Sequence, residues 1–201
     1  MTAEANSKTR AEKFTEFLES LYERDDRAAL AALRRGLGRA PGEAGEMHRY
    51  IVPRVQGLSE RQEDAYYTVA ALFALYPGRS WRPTGDGSKR ETNFGASFGL
   101  LARTNQESAS VERRFVALLN CRQEELPGHL RNAVSLLRSK EIPVNWAQLI
   151  AGINRWNYED RRVQREWARA FWSLAVDSES VDYTALSDIP VETSDETMNA
   201  E

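Results

Sequence analysis

Along most of this chain, apolar side chains return every three or four residues, the spacing that lays a stripe down one face of an α-helix. Residues 8–23 put Phe14, Phe17, Leu18 and Leu21 on one side, and residues 26–37 do the same with Leu30, Leu33 and Leu37. A shorter helix is predicted over 43–52, closed by Pro53, since proline lacks the backbone donor and clashes with the carbonyl one turn back. Residues 59–76 open with Ser59-Glu60-Arg61-Gln62, a capping-box pattern, and stop at Tyr76-Pro77-Gly78. Further helices are predicted over 93–103, 108–121, 124–139, 145–156 and 159–175. In 108–121 the stripe is Val111, Phe115, Leu118 and Leu119; Arg113 points away from it and Arg114 lies on its flank.

No segment alternates apolar and polar residues long enough to argue for a strand. Residues 77–92, PGRSWRPTGDGSKRET, carry Pro77, Gly78, Pro83, Gly85 and Gly87 and read as a loop. The expected fold is therefore all-α: a bundle of eight to nine helices in two packed halves. The predicted organisation is an N-terminal half over 1–76, a basic loop over 77–92, a C-terminal bundle over 93–175 and an acidic, disordered tail over 176–201.

Composition sharpens this picture through charge. The formal net charge is −3, but all 27 lysines and arginines fall within residues 1–175, which also hold 22 acids and so carry +5. The last 26 residues hold eight acids and no base. Only Lys8, Lys13, Lys89 and Lys140 are lysines; the other cations are arginines, which grip phosphate and carboxylate with a planar fork of donors. A single cysteine, Cys121, allows no intrachain disulfide, and no apolar run is long enough to cross a membrane. A cytoplasmic, non-membrane protein is expected.

The residues that catalysis or metal binding would need do not occur at the right spacings. His48 and His129 belong to no metal-ligand pattern, Cys121 ends an apolar stripe, and no phosphate-cradling glycine loop is present. No enzyme, metal or cofactor is expected. The arginines are better organised. Arg27 and Arg34, and likewise Arg131 and Arg138, lie seven residues apart on single helix faces, and Arg35 sits further round. On 159–175, Val163, Trp167, Ala170, Phe171 and Leu174 face inward, with Arg161, Arg162, Arg165, Arg169 and Trp172 opposite. The loop adds Arg79, Arg82, Lys89 and Arg90 around Trp81. Arg61 occupies a helix's first turn, where the dipole disfavours a cation, with Glu60, Glu63 and Asp64 as candidate compensators. No base-reading motif is present, so any nucleic acid would be held by its backbone.

Together these segments resemble the small-subunit family of the type I-E CRISPR surveillance complex, Cascade. The resemblance is carried by RRFVALL at 113–119, LPGHLRNAVSLLR at 126–138, VNWAQLIAGINRW at 144–156 and WARAFW at 167–172. ALRRGLG at 32–38, HRYIVP at 48–53 and TNFGASFGLLA at 92–102 extend it, while the acidic tail departs from it. It implies a non-catalytic, all-helical subunit in antiviral defence, present in two copies beside other Cascade subunits. Such a subunit would help hold the guide RNA–target DNA hybrid and the displaced strand of the R-loop. Carried over by position, it assigns phosphate contacts to Arg35, Arg61, Arg114 and Arg131, with Arg34, Lys89, Arg90, Arg113 and Arg138 as further candidates. Arg162, Arg165, Arg169 and Trp172 would face a neighbouring subunit or the second copy. The rival expectations are a helical adaptor whose arginines meet acidic protein surfaces, and a small enzyme with carboxylates brought together only by folding.

Overall fold

A computed structural model describes residues 8–78, 80–81, 92–104 and 108–176. Among them the fold is all-α. The helices are α1 (Arg10–Glu23), α2 (Arg27–Arg34), α3 (His48–Val55), α4 (Glu60–Leu75) and α5 (Phe94–Thr104), then α6 (Ser108–Asn120), α7 (Leu126–Ser139), α8 (Trp146–Asn154) and α9 (Arg162–Val176). A single 3₁₀ turn, Gly45–Met47, leads into α3. The loop cations Arg79, Arg82, Lys89 and Arg90, and the acidic tail expected to be disordered, lie outside the described residues.

Local chemistry sets several helix starts. Thr9 and Glu12 cap α1 reciprocally, and the Gln62 side chain accepts from the Ser59 amide at 3.0 Å to open α4. Asp26 caps α2 through Ala29 N–H at 2.9 Å, and Asn145 caps α8 through Gln148 N–H at 3.0 Å. Two boundaries differ from the periodicity. Pro53 does not close α3 but lies inside it, because Ile51 and Val55, one turn apart, are both buried and hold the last turn down. Conversely α2 ends at Arg34, not at 37: residues 35–38 form turns, and Gly38 takes φ +78°. The one pairing of extended backbone among the described residues is an isolated parallel bridge, Ser80 to Val144, with Trp81 N–H donating to Val144 C=O at 2.9 Å.

The stripes meet in one continuous core. Helices from both sides of residues 77–92 contribute: α1 and α4 pack on α8, and α4 also packs on α7. Phe73 meets Trp146 edge-on, and a run of rings links Trp156, Trp167, Phe94, Phe98, Phe115 and Phe171. The closest helix pair is α5 with α9. A Cβ on Gly95 would lie 2.0 Å from the Trp167 carbonyl oxygen, and one on Gly99 would lie 3.0 Å from that of Phe171. These two glycines, four residues apart, let the backbones approach as no larger residue would. Near the pair, Ser97 Oγ donates to Pro143 C=O at 2.7 Å and Gln164 Nε2 donates to Trp156 C=O at 2.8 Å, while the buried Gln164 Oε1 has no partner among the described residues.

Candidate nucleic-acid interface

The arginines divide into those the fold uses and those it leaves open. Arg34 belongs to the first group: its Nε and Nη2 donate to the Ala74 carbonyl at 3.0 and 2.8 Å, closing the C-terminal end of α4. Arg161, left-handed at φ 47°, donates to Leu119 C=O at 2.6 Å just before α9 begins. Arg54 donates to Tyr50 C=O at 2.9 Å and lies over the Phe17 ring. Arg35 pairs with Glu46, whose carboxyl is held low first by its own backbone amide and then by Arg35. Among the described residues, the guanidiniums of Arg61, Arg103, Arg113, Arg114, Arg131, Arg138 and Arg169 take part in no hydrogen bond or ion pair. All seven are exposed.

Two of the open arginines line concave surfaces, one on each flank of α7. On the first flank, the turns at 36–42 face α4 and the start of α7 across a shallow groove. Its charged lining residues are Arg39 and Arg131. Gly36 and Gly38 bring the backbone close: a Cβ at Gly38 would stand 2.9 Å from Arg131 Nη1. Tyr67 and Thr68 form the α4 wall, with the Tyr67 hydroxyl 2.7 Å from His48 Nδ1. Arg61 lies seven residues before Thr68 and thus on the same side of α4, with Glu60, Glu63 and Asp64 as its neighbours in the chain. Asp64 is raised above the ordinary carboxylate range by burial first, then by the two glutamates.

On the second flank, a cleft between α6 and α7 is lined by Arg114, His129, Asn132, Ser135 and Ser139 over an apolar floor that includes Leu118 and Leu136. None of its described lining residues is acidic. Folding therefore pairs Arg131 with Arg39 and separates both from Arg114. Arg113 and Arg138 stand exposed on α6 and α7 outside both linings, and Lys89 and Arg90 fall outside the described residues. Sequence reasoning had not singled out Arg39, Asn132, Ser135 or the functional setting of His129. The glycines flanking Arg39 and the three-residue steps from His129 to Asn132 to Ser135 are the signals that could have found them.

The α9 surface differs again. Arg162 pairs with Glu166 at 2.8 Å, and Arg165 Nη2 donates to Asp160 C=O. Arg169 is open, and Trp172, 37% exposed, rests edge-on against Phe115 and Phe171. Cys121 sits half-buried at the end of α6, its thiol pushed up to about 11 by burial and by Glu125. Among the described residues no group of three His, Cys, Asp or Glu is placed to hold a metal ion, and no helix is long and apolar enough to cross a membrane.

The family model of CRISPR-associated protein Cse2 matches residues 29–172. A CRISPR-associated protein Cse2 of Thermus thermophilus is 34% identical over 172 residues, covering 84% of this chain and 93% of its own. The crystal structure of M. ruber CasB superposes with TM-score 0.71 at 30% identity, covering 87% of this chain and 98% of that one. A chain of a CRISPR RNA-guided surveillance complex superposes with TM-score 0.70 at 27% identity, over 84% of this chain and 94% of that one.

Proposed function

The chain belongs to the CRISPR-associated Cse2 family, and from that premise we propose that it is a non-catalytic subunit of a type I-E CRISPR RNA-guided surveillance complex. In that complex it binds the sugar-phosphate backbone through arginines and steadies the guide RNA–target DNA hybrid and the displaced strand. The observation that carries the reading is the groove holding Arg39 and Arg131 with no carboxylate among its described lining residues. A phosphate entering there meets two cations and a glycine-rich backbone that a strand can approach closely. Arg114 offers a second contact on the other flank of α7. Neither groove presents a base-reading array, so sequence selection is left to base pairing. The exposed Trp172 beside Arg169 favours a different role for α9, as a face for a neighbouring subunit or a second copy.

The test is nucleic-acid binding by fluorescence anisotropy across a salt series, for the isolated chain and for the reconstituted complex. Each phosphate contact on a duplex contributes about 0.9 to the slope of log affinity against log salt. Arg131→Ala and Arg114→Ala are each expected to lower that slope by about one contact and to leave helicity unchanged. Binding by the complex that keeps its slope in the double variant would instead assign these arginines to protein partners.

A further inference from the structure

The two flanks of α7 leave another group of cations unused, on the side of α1 that faces α3. Arg10, Lys13, Phe17 and Arg24 follow one another at three-, four- and seven-residue steps and so share one face of α1. The helix is 14 residues long and Arg24 follows its last residue, so the row runs about 21 Å. Arg10 Nη1 donates to Gln56 C=O at 2.8 Å, while Arg54 lies over Phe17, further along α1. Thus α3 runs back along the row and sets Arg54 into it. The groove between the two helices is lined by Arg10, Lys13, Phe14, Pro53, Arg54 and Gln56, with no carboxylate among the described lining residues. The acids of α1 lie on its other flank, where Glu12, Glu16 and Glu19 line a separate cavity against α8. Arg10, Lys13, Arg24 and Arg54 make no ion pair among the described residues. Burial first, and then Arg24, push Arg54 below the ordinary arginine range, as follows when cations gather without a counter-anion. Arg54 is also held flat. Its Cζ lies 3.2 Å from the Phe17 ring centroid, and at that separation an edge-on guanidinium would drive a nitrogen into the ring. Nη1 donates to Tyr50 C=O at 2.9 Å and fixes the plane. Phe17 covers one face of that plane; Arg54 is only half-buried and lines the groove, so its other face is the open one.

We propose that this groove holds an unpaired nucleic-acid strand, with Arg10, Lys13 and Arg24 along its phosphates and one base stacked on the open face of Arg54. The site is separate from the surfaces beside α7 and does not rest on the phosphate reading of Arg131 or Arg114. A row of cations along a groove follows a sugar-phosphate backbone without reading its sequence. A guanidinium is planar and weakly hydrated, and its face takes a base as an aromatic ring does. Phe17 and the Tyr50 carbonyl hold that plane in place beforehand, so little side-chain freedom is lost when a base arrives. An acidic protein surface would meet the charges but leave the face of Arg54 bare. A duplex keeps its bases stacked inside and offers none to it. An unpaired strand supplies both the phosphates and the base, and any base serves, because each has a π-face.

The full-length chain is titrated, by fluorescence anisotropy, with a labelled single-stranded oligothymidylate and with an abasic oligonucleotide of the same length. The oligothymidylate is expected to bind at least about fivefold more tightly, the lower end of what one stacked base contributes. Arg54→Lys keeps the charge and removes the plane, and should shrink that preference while the salt slope stays. Lys13→Ala/Arg24→Ala changes two exposed residues whose side chains have no partner among the described residues. It should lower the slope by about 1.4, at about 0.7 per phosphate on a single strand, and leave the preference intact. Because Arg54 also packs within the fold, its Nε–H resonance is followed in the unaltered chain, where it should move with the oligothymidylate and stay put with the abasic strand. Equal affinity for the two strands, with an unmoved resonance, overturns the stacking and assigns the row to a polyanion recognised by charge alone, such as an acidic protein surface. A slope unchanged in Lys13→Ala/Arg24→Ala, or no binding of either oligonucleotide at low salt, overturns the groove as a strand site. Failure of the α7 reading looks different: Arg114→Ala/Arg131→Ala then keeps its slope, while the preference set by Arg54 persists.

Discussion

Arg34 and Arg35 are neighbours in the chain with different tasks. Arg34 spends two donors on the last turn of α4, at the Ala74 carbonyl. Arg34→Ala is expected to cost about 1.5–3 kcal/mol, the range for hydrogen bonds that involve a charged group, with the salt slope of DNA binding unchanged; urea unfolding reads the first and anisotropy the second. Arg35 is tied to Glu46 instead. Such differences were not legible in the sequence, because a carbonyl forty residues away decides whether a guanidinium is structural or open. The sequence did mark Arg114 as flanking its apolar stripe and Arg131 as sharing a helix face with Arg138, and Arg114 and Arg131 are exposed without a hydrogen bond or ion pair among the described residues. Cys121 offers a second check at this scale. With its thiol pushed up to about 11, it holds about a hundredfold less thiolate at neutral pH than an unperturbed cysteine. Its alkylation by iodoacetamide should be correspondingly slow near pH 7 and accelerate through pH 9 to 11. A rate like that of a free thiol at pH 7 would show that burial does not suppress the thiolate.

At the scale of elements, the helices were legible because burying one stripe per helix needs only local spacing. Their ends were less so. Pro53 sits inside α3, because burial of Ile51 and Val55 outweighs the backbone bond that proline forfeits. The turns at 35–38 interrupt a stripe whose spacing would have continued to Leu37. The contact of α5 with α9 went unread: Gly95 and Gly99 look ordinary until a partner backbone is placed against them. Gly95→Ala must move that backbone and is expected to cost about 3 kcal/mol in thermal or denaturant unfolding. Gly128, in the first turn of α7, has open space where its Cβ would be. Gly128→Ala should therefore stabilise by about 0.5–1 kcal/mol through the unfolded chain. If both substitutions prove neutral, the glycines of α5 do not set the helix spacing.

At the scale of the whole molecule, charge and packing follow different maps. The core runs from Phe14 to Phe171, so a chain ending at Val176 should keep its helicity and melt within about 2 °C of the full chain. A larger loss would make the acidic segment part of the fold. Open arginines line both flanks of α7, so reversing Arg131 and Arg114 together tests two surfaces at once. DNA retention by the assembled complex should fall while circular dichroism stays unchanged. The pairing of α5 with α9 also bears on synthesis. The residues that cover the glycine face of α5, Trp167 and Phe171, are among the last of the body to be translated. A nascent chain that has emerged only through α8 has Phe94 and Phe98 in place but not the helix that seals them. The ribosome must therefore carry the chain through α8 with its tightest seam still open, and an interruption there would leave an aromatic surface for chaperones rather than a finished half.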